Sequence, residues 1–196
     1  MESYALLETG HLPEGATYYH PERASHMVKL DSSAWDIFTD FKSKYPAIIG
    51  QDKTLQDALN EMRLAQVKSL IVAGEHDTIL GLVCARDIQG VKVGRIASDN
   101  GVLIKDVTVG MAMIPASEIL TLRFSQLDRI QVGHITRLIH DTGQNYIFVT
   151  EPHPDHSEQT RVRGLFSASR ISRQLGEHIS GDLSAHSLAD MNRRIL

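Results

Sequence analysis

The sequence has little cysteine and no long apolar run, and each absence excludes a class of protein. One cysteine, Cys84, among 196 residues rules out an internal disulfide and any metal site built from several cysteines. No apolar stretch reaches the roughly 18 residues that a membrane-spanning helix needs. The first residues, MESYALLETGHLPEG, lack the basic and apolar regions of a secretory signal. We therefore expect an unexported cytoplasmic protein that does not enter a membrane.

Concentrated positive charge and common catalytic motifs are also missing. The formal net charge is −4, and no block of lysine or arginine stands out, which argues against nucleic acid as the main partner. The sequence contains no G-x-S-x-G, G-x-x-x-x-G-K-[ST] or H-E-x-x-H motif. We therefore predict a protein that is not an enzyme and that needs no catalytic cofactor and no metal.

What the sequence does contain is a repeated pattern. Residues 81–88 read GLVCARDI, and residues 164–171 read GLFSASRI. Each copy follows an apolar run typical of a strand and leads into a run typical of a helix. The chain therefore looks like a tandem repeat in which each unit forms one half of a larger structure.

The first unit has a clear order of elements. A short strand at 47–50 precedes a helix that Thr54 caps, with Leu55, Ala58, Leu59 and Met62 at helical spacing. Apolar runs at 67–73 and 79–84 predict two strands joined by a turn. A second helix carries Asp87 and ends near Gly90. The predicted order is strand, helix, strand, strand, helix.

The second unit repeats this order. Strands are predicted at 119–122, 146–150 and 162–166, and helices at 130–140 and 168–175, with Gly143 placed to end the first helix. Superposing Val72 on Val149 puts Thr54 on Gln131 and apolar Met62 on apolar Ile139. A chance repeat would not align apolar positions in this way.

These two units set the predicted organisation of one compact body. We expect an N-terminal arm at 1–30, a first unit at 31–95 that opens with a lead-in helix, and a connector at 96–117 with room for one added strand. The second unit spans 118–176, and a tail follows at 177–196. The arm is rich in Gly, Pro, His and Tyr and has no clear periodicity.

The residues of the repeat carry a family resemblance. TLQDALNEM, the LIV strand and GLVCARD, matched by VGHITRLIH, YIFV and GLFSASRI, resemble the cystathionine β-synthase (CBS) domain. The resemblance implies a stand-alone tandem CBS pair of bacterial type, called a Bateman module. Its fold would be α/β, with two strand-helix-strand-strand-helix repeats related by pseudo-two-fold symmetry.

The resemblance also implies a function. Such modules form homodimers, bind adenosine-containing ligands in clefts between the two copies and regulate another protein. An adenine nucleotide (AMP, ADP or ATP) is the expected ligand, although S-adenosylmethionine and a dinucleotide stay open. In the family pattern, a Thr or Ser for phosphate follows the Gly by three residues, and an Asp for ribose follows by three more. Here Cys84 replaces the hydroxyl in the first copy and Arg170 replaces the carboxylate in the second.

The two predicted sites should therefore differ. Asp87 can accept both ribose hydroxyls, whereas Arg170 can only donate and favours phosphate or another anion. The two glycines would let the backbone approach a ligand, and Arg86 with the helix amides would lie near phosphate. The candidate ligand-binding residues of the first site are Ile48, Ile49, Ser69, Gly81, Cys84, Arg86 and Asp87. Those of the second site are Ile119, Tyr146, Gly164, Ser167, Ser169 and Arg170.

Several alternatives stay open at this point. The two incomplete motifs also suit a ligand-free dimerisation or scaffold module. Asp87 has an alternative explanation as a carboxylate that stabilises the first turn of a helix, and Arg170 as a surface ion pair or as a contact to a ligand in the first site. An enzyme using Cys84 would need a thiolate, and no base is evident. The segment with His153, Asp155 and His156 is explained better as a solvated loop than as a metal site.

Overall fold

Two four-stranded sheets form the framework of the protein. The computed structural model describes residues 27–154, 159–176 and 179. The strands are β1 (Thr39–Asp40), β2 (Ile48–Gly50), β3 (Ser69–Ala73), β4 (Ile79–Cys84), β5 (Ile114–Pro115), β6 (Leu120–Arg123), β7 (Tyr146–Pro152) and β8 (Thr160–Ser167). One sheet has the order β2-β3-β4-β5, and the other has the order β1-β8-β7-β6.

Helices cover these sheets and fill the connections. The α-helices are α1 (Leu55–Leu64), α2 (Ala85–Gln89), α3 (Lys92–Asn100), α4 (Val109–Ala112), α5 (Val132–Thr142) and α6 (Ala168–Leu175). Short 3-10 helices span Ala34–Ile37, Glu75–Asp77, Ile104–Asp106, Ala116–Glu118 and Phe124–Arg129. Among the described residues, none of the helices is both long and apolar enough to cross a membrane. The α/β class predicted from the sequence is confirmed.

The first unit is built from α1 and the strands that it covers. The helix begins after Thr54, whose hydroxyl accepts a hydrogen bond from the Asp57 backbone N–H, while the Asp57 carboxylate accepts one from the Thr54 N–H. Leu55, Ala58 and Met62 lie on one face of the helix and are buried in the first core with residues of β2, β3 and β4. Strand β2 runs parallel to β3, and β3 runs antiparallel to β4.

The second unit repeats this arrangement. Strand β6 runs parallel to β7, β7 runs antiparallel to β8, and α5 ends at Gly143 with φ of 72°, a conformation that glycine adopts readily. Thr54 and Gln131 both occupy the N-cap of their helix. The strand register also shifts directly after Val72 in one unit and directly after Val149 in the other. The predicted alignment of the two units is confirmed.

Each sheet is completed by a strand that lies outside its own repeat in the sequence. Strand β1 pairs antiparallel with β8 of the second unit, and β5 pairs antiparallel with β4 of the first. Ala34, Ile37 and Phe38 are buried in the second core. The segment from residue 31 to 41, which the sequence-based boundary placed with the first unit, therefore packs on the second. The predicted lead-in helix is a single 3-10 turn capped by Ser33.

An ion-pair cluster holds β1 in place. The Arg163 guanidinium in β8 donates two hydrogen bonds to the Asp40 carboxylate, at 2.7 and 2.8 Å, and one to Glu151 at 3.2 Å. It also lies over the Phe124 ring, 4.4 Å from the ring centroid. These hydrogen bonds hold the pKa of Asp40 below its ordinary value. Arg163 therefore stabilises the position of β1 at the edge of the second sheet.

The predicted connector contains more structure than one added strand. Residues 92–100, which cross the predicted boundary between the first unit and the connector, form α3, and its Val93 and Ala97 are buried in the first core. The helix ends at Gly101, which has φ of 64°. Val107 and Val109 are also buried there. The connector therefore belongs to the first core, which it reaches before the chain enters the second unit.

The predicted terminal segments fall mostly outside the described residues. This holds for residues 1–26 of the predicted N-terminal arm and for the predicted tail apart from Ile179. Of the residues before the first unit, Val28 does contact the second core, and its N–H donates a hydrogen bond to the Gln174 carbonyl.

Candidate functional site

The two sheets meet along one edge. At this edge β3 and β7 begin, and β4 and β8 end. Ser69 pairs with Cys84 across the first sheet, and Tyr146 pairs with Ser167 across the second. A third buried cluster joins the sheets behind this edge and consists of Ile71, Leu82, Cys84, Ile119 and Phe148. The repeated motifs of both units are therefore brought together, and two clefts open there.

The larger cleft, which we call the Asp87 cleft, has a volume of about 800 Å³. Its walls are the start of α2, the start of α6 and the segment 143–146 of the second unit. Asp87 is half-buried in its wall. The polar residues of the lining are Lys68, Cys84, Arg86, Asp87, Gln89, Gln144, Asn145, Tyr146, Ser169 and Ser172. A carboxylate, three amides, hydroxyls and two cations therefore face one space.

The smaller cleft, which we call the Arg170 cleft, has a volume of about 170 Å³. It lies between the start of α6 and two segments of the first unit, 44–47 and 66–69. Its charged lining residues are Lys44, Lys68, Arg170 and Arg173, and no carboxylate lines it among the residues that the structure describes. This cleft is therefore positively charged.

Each cleft combines a motif of one unit with strand starts of the other. The sequence-based grouping placed Ile48, Ile49 and Ser69 in the first site together with Asp87. In the structure Ser69 lines the Arg170 cleft and not the Asp87 cleft. Ile49 is buried in the first core, and Ile48 is 53% exposed; neither lines a cleft. This grouping was wrong because the motif of one repeat faces the partner repeat rather than its own first strand.

The remaining predicted residues divide between the clefts. Cys84, Arg86 and Asp87 line the Asp87 cleft, and Ser167 and Arg170 line the Arg170 cleft. Tyr146 and Ser169 line both. Ile119, predicted as a wall of the second site, is buried in the cluster between the sheets and lines neither cleft.

The two motif glycines serve the sheets rather than a cleft. A Cβ at Gly81 would clash with the backbone carbonyl of Ile114 in β5, and a Cβ at Gly164 would clash with that of Thr39 in β1. Neither glycine lines a cleft. The close backbone approach that the sequence suggested for a ligand is the approach of a neighbouring strand.

Tyr146 forms the wall between the clefts. Its hydroxyl interacts with the Ser69 hydroxyl on one side and with the Cys84 thiol on the other. Burial, together with the nearby Cys84 and Asp87, raises the pKa of the phenol above its ordinary value. The phenol therefore stays protonated at neutral pH.

Cys84 is buried in the same wall and lacks the properties of a nucleophile. Burial, reinforced by the negative charge of Asp87, raises the pKa of its thiol to about 12. A reactive cysteine instead needs a lowered pKa and access to solvent. Cys84 therefore serves as a small packing residue at the end of β4.

Three basic residues and four amides of the clefts were not identified from the sequence. Lys44 and Lys68 come from loops that lead into strands, and Arg173 lies one helical turn after Arg170. The spacing of Arg170 and Arg173 was a usable signal, because residues three apart share a helix face. Gln144 and Asn145, which directly precede β7, carried no recognisable pattern.

Metal binding finds no support in the part of the chain that the structure describes. That part contains no group of three or more His, Cys, Asp or Glu residues placed to hold a metal ion. His134 accepts a hydrogen bond from the Gln131 backbone N–H at the start of α5, at 3.1 Å. Asp155 and His156, the rest of the proposed loop site around His153, lie outside the described residues.

Comparison with known proteins supports the fold. No protein-family profile matches the sequence, and a search of curated proteins finds no significant match. Among solved structures, a conserved uncharacterized protein of Pyrococcus horikoshii is 16% identical, and the similarity covers 74% of this chain and 93% of that one, with a TM-score of 0.53. A CBS-domain-containing protein of Agrobacterium tumefaciens is 12% identical, with coverage of 81% and 98% and a TM-score of 0.52.

A third similar structure is a CBS domain pair in complex with 5′-methylthioadenosine and S-adenosyl-L-methionine. It is 19% identical, the similarity covers 76% of this chain and 97% of that one, and the TM-score is 0.49. The two structures described above and the two-fold repeat of sheets and helices indicate the same fold. The chain has the fold of a tandem pair of CBS domains.

Proposed function

We propose that the protein is a regulatory ligand-sensing module that binds an adenine nucleotide (AMP, ADP or ATP) in the Asp87 cleft. The observation that carries this proposal is a carboxylate in the wall of a cleft of about 800 Å³ that also holds amide, hydroxyl and cationic groups. Pockets for ligands of this size have volumes of roughly 300 to 1,000 Å³. The other cleft, at about 170 Å³, is too small for a nucleotide.

Each part of a nucleotide finds suitable chemistry in this cleft. The Asp87 carboxylate accepts the two ribose hydroxyls, which is a task for an acceptor-only group. The side-chain amides of Gln144 and Asn145 can donate to and accept from the edge of a base. Lys68 and Arg86 supply positive charge for phosphate.

Lys68 and Arg86 are needed for phosphate recognition because helix α2 itself contributes little to it. Helix α2 has only five residues, and its N-cap, Cys84, makes no side-chain hydrogen bond to it. The dipole of so short a helix is small. We therefore assign phosphate recognition to Lys68 and Arg86 and not to the helix amides that the sequence suggested.

Sensing requires that the ligand prefers one state of the protein. A ligand that contacts both units at once, through Asp87 on one side and the segment 143–146 on the other, favours the arrangement in which these groups lie close together. We propose that the module acts as a homodimer in the cytoplasm, without catalysis, and transmits this preference to a separate regulated protein.

The alternative is a ligand-free dimerisation or scaffold module. It is favoured by the two departures from the family pattern, Cys84 in place of a hydroxyl and Arg170 in place of a carboxylate. The two proposals differ in what a ligand does to stability. A scaffold with degenerate clefts would show no response to any adenosine compound.

A binding experiment on Asp87→Asn tests the proposal. A ligand at about 100 times its dissociation constant stabilises a protein by about 2.7 kcal/mol, which raises the melting temperature of a chain this size by roughly 5 to 11 °C. Purified protein is screened against AMP, ADP, ATP, S-adenosylmethionine and NAD. We expect a selective shift, and we expect Asp87→Asn to weaken binding by about 10- to 100-fold through the loss of charge-assisted hydrogen bonds.

A matched variant controls for charge and stability. Asp99→Asn removes an exposed carboxylate on α3 that lines neither cleft, so affinity should stay at the wild-type value. The ligand-free melting temperature of Asp87→Asn should stay close to that of the wild type. Equal nucleotide affinity in Asp87→Asn and wild type would contradict the ribose role. If no adenosine compound shifted the melting temperature of the wild type, the scaffold alternative would be favoured.

A further inference from the structure

We propose that the Arg170 cleft is a second binding site that takes a small polyanion of the phosphate class rather than a nucleoside. Four basic side chains line the cleft, from Lys44, Lys68, Arg170 and Arg173, and no carboxylate among the described residues does so. Four cations around about 170 Å³ repel one another unless an anion lies between them. The cleft is therefore charged to receive more than one negative charge.

The residues that the structure describes do not neutralise these cations. Within the part of the chain that the structure describes, none of the four takes part in a salt bridge. The Nε of Arg170 is enclosed by protein without a hydrogen-bond acceptor. Arg163 provides the contrast, because its guanidinium is fully engaged by Asp40 and Glu151. Among the described residues Arg163 is therefore paired with two carboxylates, whereas Arg170 is paired with none.

Hydroxyl groups complete a lining suited to oxyanions. Ser69, Ser167 and Ser169 line the cleft together with the Tyr146 phenol, which stays protonated. The Ser167 oxygen accepts a hydrogen bond from the Arg170 backbone N–H at 3.3 Å, so its own hydrogen stays available for an acceptor. Donors of both kinds, cationic and neutral, therefore converge on one space.

The same lining argues against a nucleoside. Arg170 is the third residue of α6, as Asp87 is the third residue of α2, so a donor stands where the first cleft has its carboxylate. A guanidinium cannot accept the hydrogen bonds of ribose hydroxyls. The volume of about 170 Å³ is also below the range of pockets that hold drug-sized ligands.

Two sources could supply this phosphate chemistry. One is a free small polyanion such as pyrophosphate. The other is the terminal phosphates of a nucleotide held in the Asp87 cleft, because Lys68, Tyr146 and Ser169 line both clefts. Both sources place phosphate oxygens among the same four cations. The proposal does not depend on the Asp87 cleft binding a nucleotide.

The test uses inorganic pyrophosphate as the probe on the full chain. Titration calorimetry is performed at matched ionic strength with wild type, Arg170→Gln and Arg95→Gln, which removes an exposed arginine of α3 outside both clefts. We expect wild type and Arg95→Gln to bind alike and Arg170→Gln to bind about tenfold more weakly or worse. The double variant Lys44→Gln/Arg173→Gln, which changes only exposed side chains, repeats the test if Arg170→Gln folds poorly.

Further titrations distinguish the two sources of phosphate and test whether the two clefts bind independently. Pyrophosphate binding that survives in Asp87→Asn and in saturating adenosine supports the proposal. If saturating ATP abolishes pyrophosphate binding and adenosine does not, the cleft is assigned to nucleotide phosphates. If neither compound abolishes it, the cleft is assigned to a free polyanion. Absence of binding to wild type, equal weakening in Arg95→Gln, or displacement by adenosine would overturn the proposal.

Discussion

The Asp87 cleft and the Arg170 cleft stand on equivalent parts of the two units, yet they differ in charge. The residues that precede their helices have nearly the same backbone, with φ and ψ of −118° and 143° at Cys84 and of −129° and 134° at Ser167. The Ser167 side chain caps its helix, whereas Cys84 makes no such bond. Three residues later Asp87 faces one cleft and Arg170 faces the other. The repeat keeps the backbone while the chemistry changes.

This comparison shows where specificity lies in a duplicated fold. The strand-to-helix junction fixes a position at the cleft, and the side chain at that position decides between an acceptor and a donor. Tyr146 lines both clefts and separates the two environments. A duplicated unit can therefore present two clefts of different charge without any change of architecture.

The largest expected effect comes from making the two clefts alike. Arg170→Asp removes a cation and adds an anion next to Lys44, Lys68 and Arg173. Because both changes oppose an anionic ligand, we expect the dissociation constant for pyrophosphate to rise by about 100-fold or more. Calorimetric titration measures the change. Affinity that falls no further than in Arg170→Gln would show that charge at this position is not what distinguishes the clefts.

Gly81 and Gly164 occupy equivalent positions in the two units. Substitutions at both positions test whether each unit requires the close approach of a neighbouring strand. Gly81→Ala and Gly164→Ala each place a Cβ against the carbonyl of a neighbouring strand. We expect each to destabilise the fold by about 2 kcal/mol, which lowers the melting temperature by roughly 4 to 8 °C. Thermal unfolding measures both variants.

The control for the glycine pair is a third glycine. A Cβ at Gly94 in α3 meets nothing within 4 Å, and alanine is the better helix former. Gly94→Ala should therefore leave the melting temperature unchanged or raise it. If either motif variant melted like the wild type, the close strand approach at that glycine would be disproved.

The smallest expected effect is a pH dependence of folding stability that arises at the Cys84 thiol, in the wall of the Asp87 cleft. The Cys84 thiol has its pKa raised to about 12 from an ordinary 9.0, so the folded state holds a proton that the unfolded chain releases above pH 9. Its contribution to stability is complete below pH 9 and is lost as the pH rises from 9 to 12. Tyr146, whose pKa is also raised, acts in the same direction.

Denaturant unfolding between pH 7 and pH 10 measures this contribution. Stability should be flat to about pH 8.5 and then fall, by up to about 1.4 kcal/mol per pH unit for each such proton. Cys84→Ala should fall less steeply than the wild type, because it lacks one of the protons. An identical slope in both proteins would refute the raised pKa. Ser167, the counterpart in the other unit, does not titrate.

Local patterns in the sequence were sufficient to predict most regular elements. Helix α6 was predicted with its observed bounds, and the Thr54 cap of α1 was identified from its polar residue before an apolar stripe. Helix α3 was missed because it contains Gly94 and polar residues, and its burial depends on just two side chains, Val93 and Ala97. Tertiary packing, and not propensity, defines that helix.

Long-range pairing could not be predicted from these patterns. Strands β1 and β5 have two residues each, which is too short for any alternation. Strand β1 completes the sheet of the second unit, and β5, from the connector, completes the sheet of the first. The same limitation explains the error in the first site. Superposing the repeats shows that Ser69 and Tyr146 are equivalent, but it does not show that Ser69 faces Arg170. The site residues on the motifs themselves stay predictions that binding experiments must test.

The central claim is that the two clefts bind different chemistry, and titration of AMP and of pyrophosphate against the same three proteins tests it most directly. Wild type should bind both ligands. Asp87→Asn should weaken AMP binding by about 10- to 100-fold and keep pyrophosphate binding. Arg170→Gln should weaken pyrophosphate binding about tenfold and keep the adenosine part of AMP recognition. If one variant removed both ligands while the other removed neither, the two clefts would be a single site and the account would be contradicted.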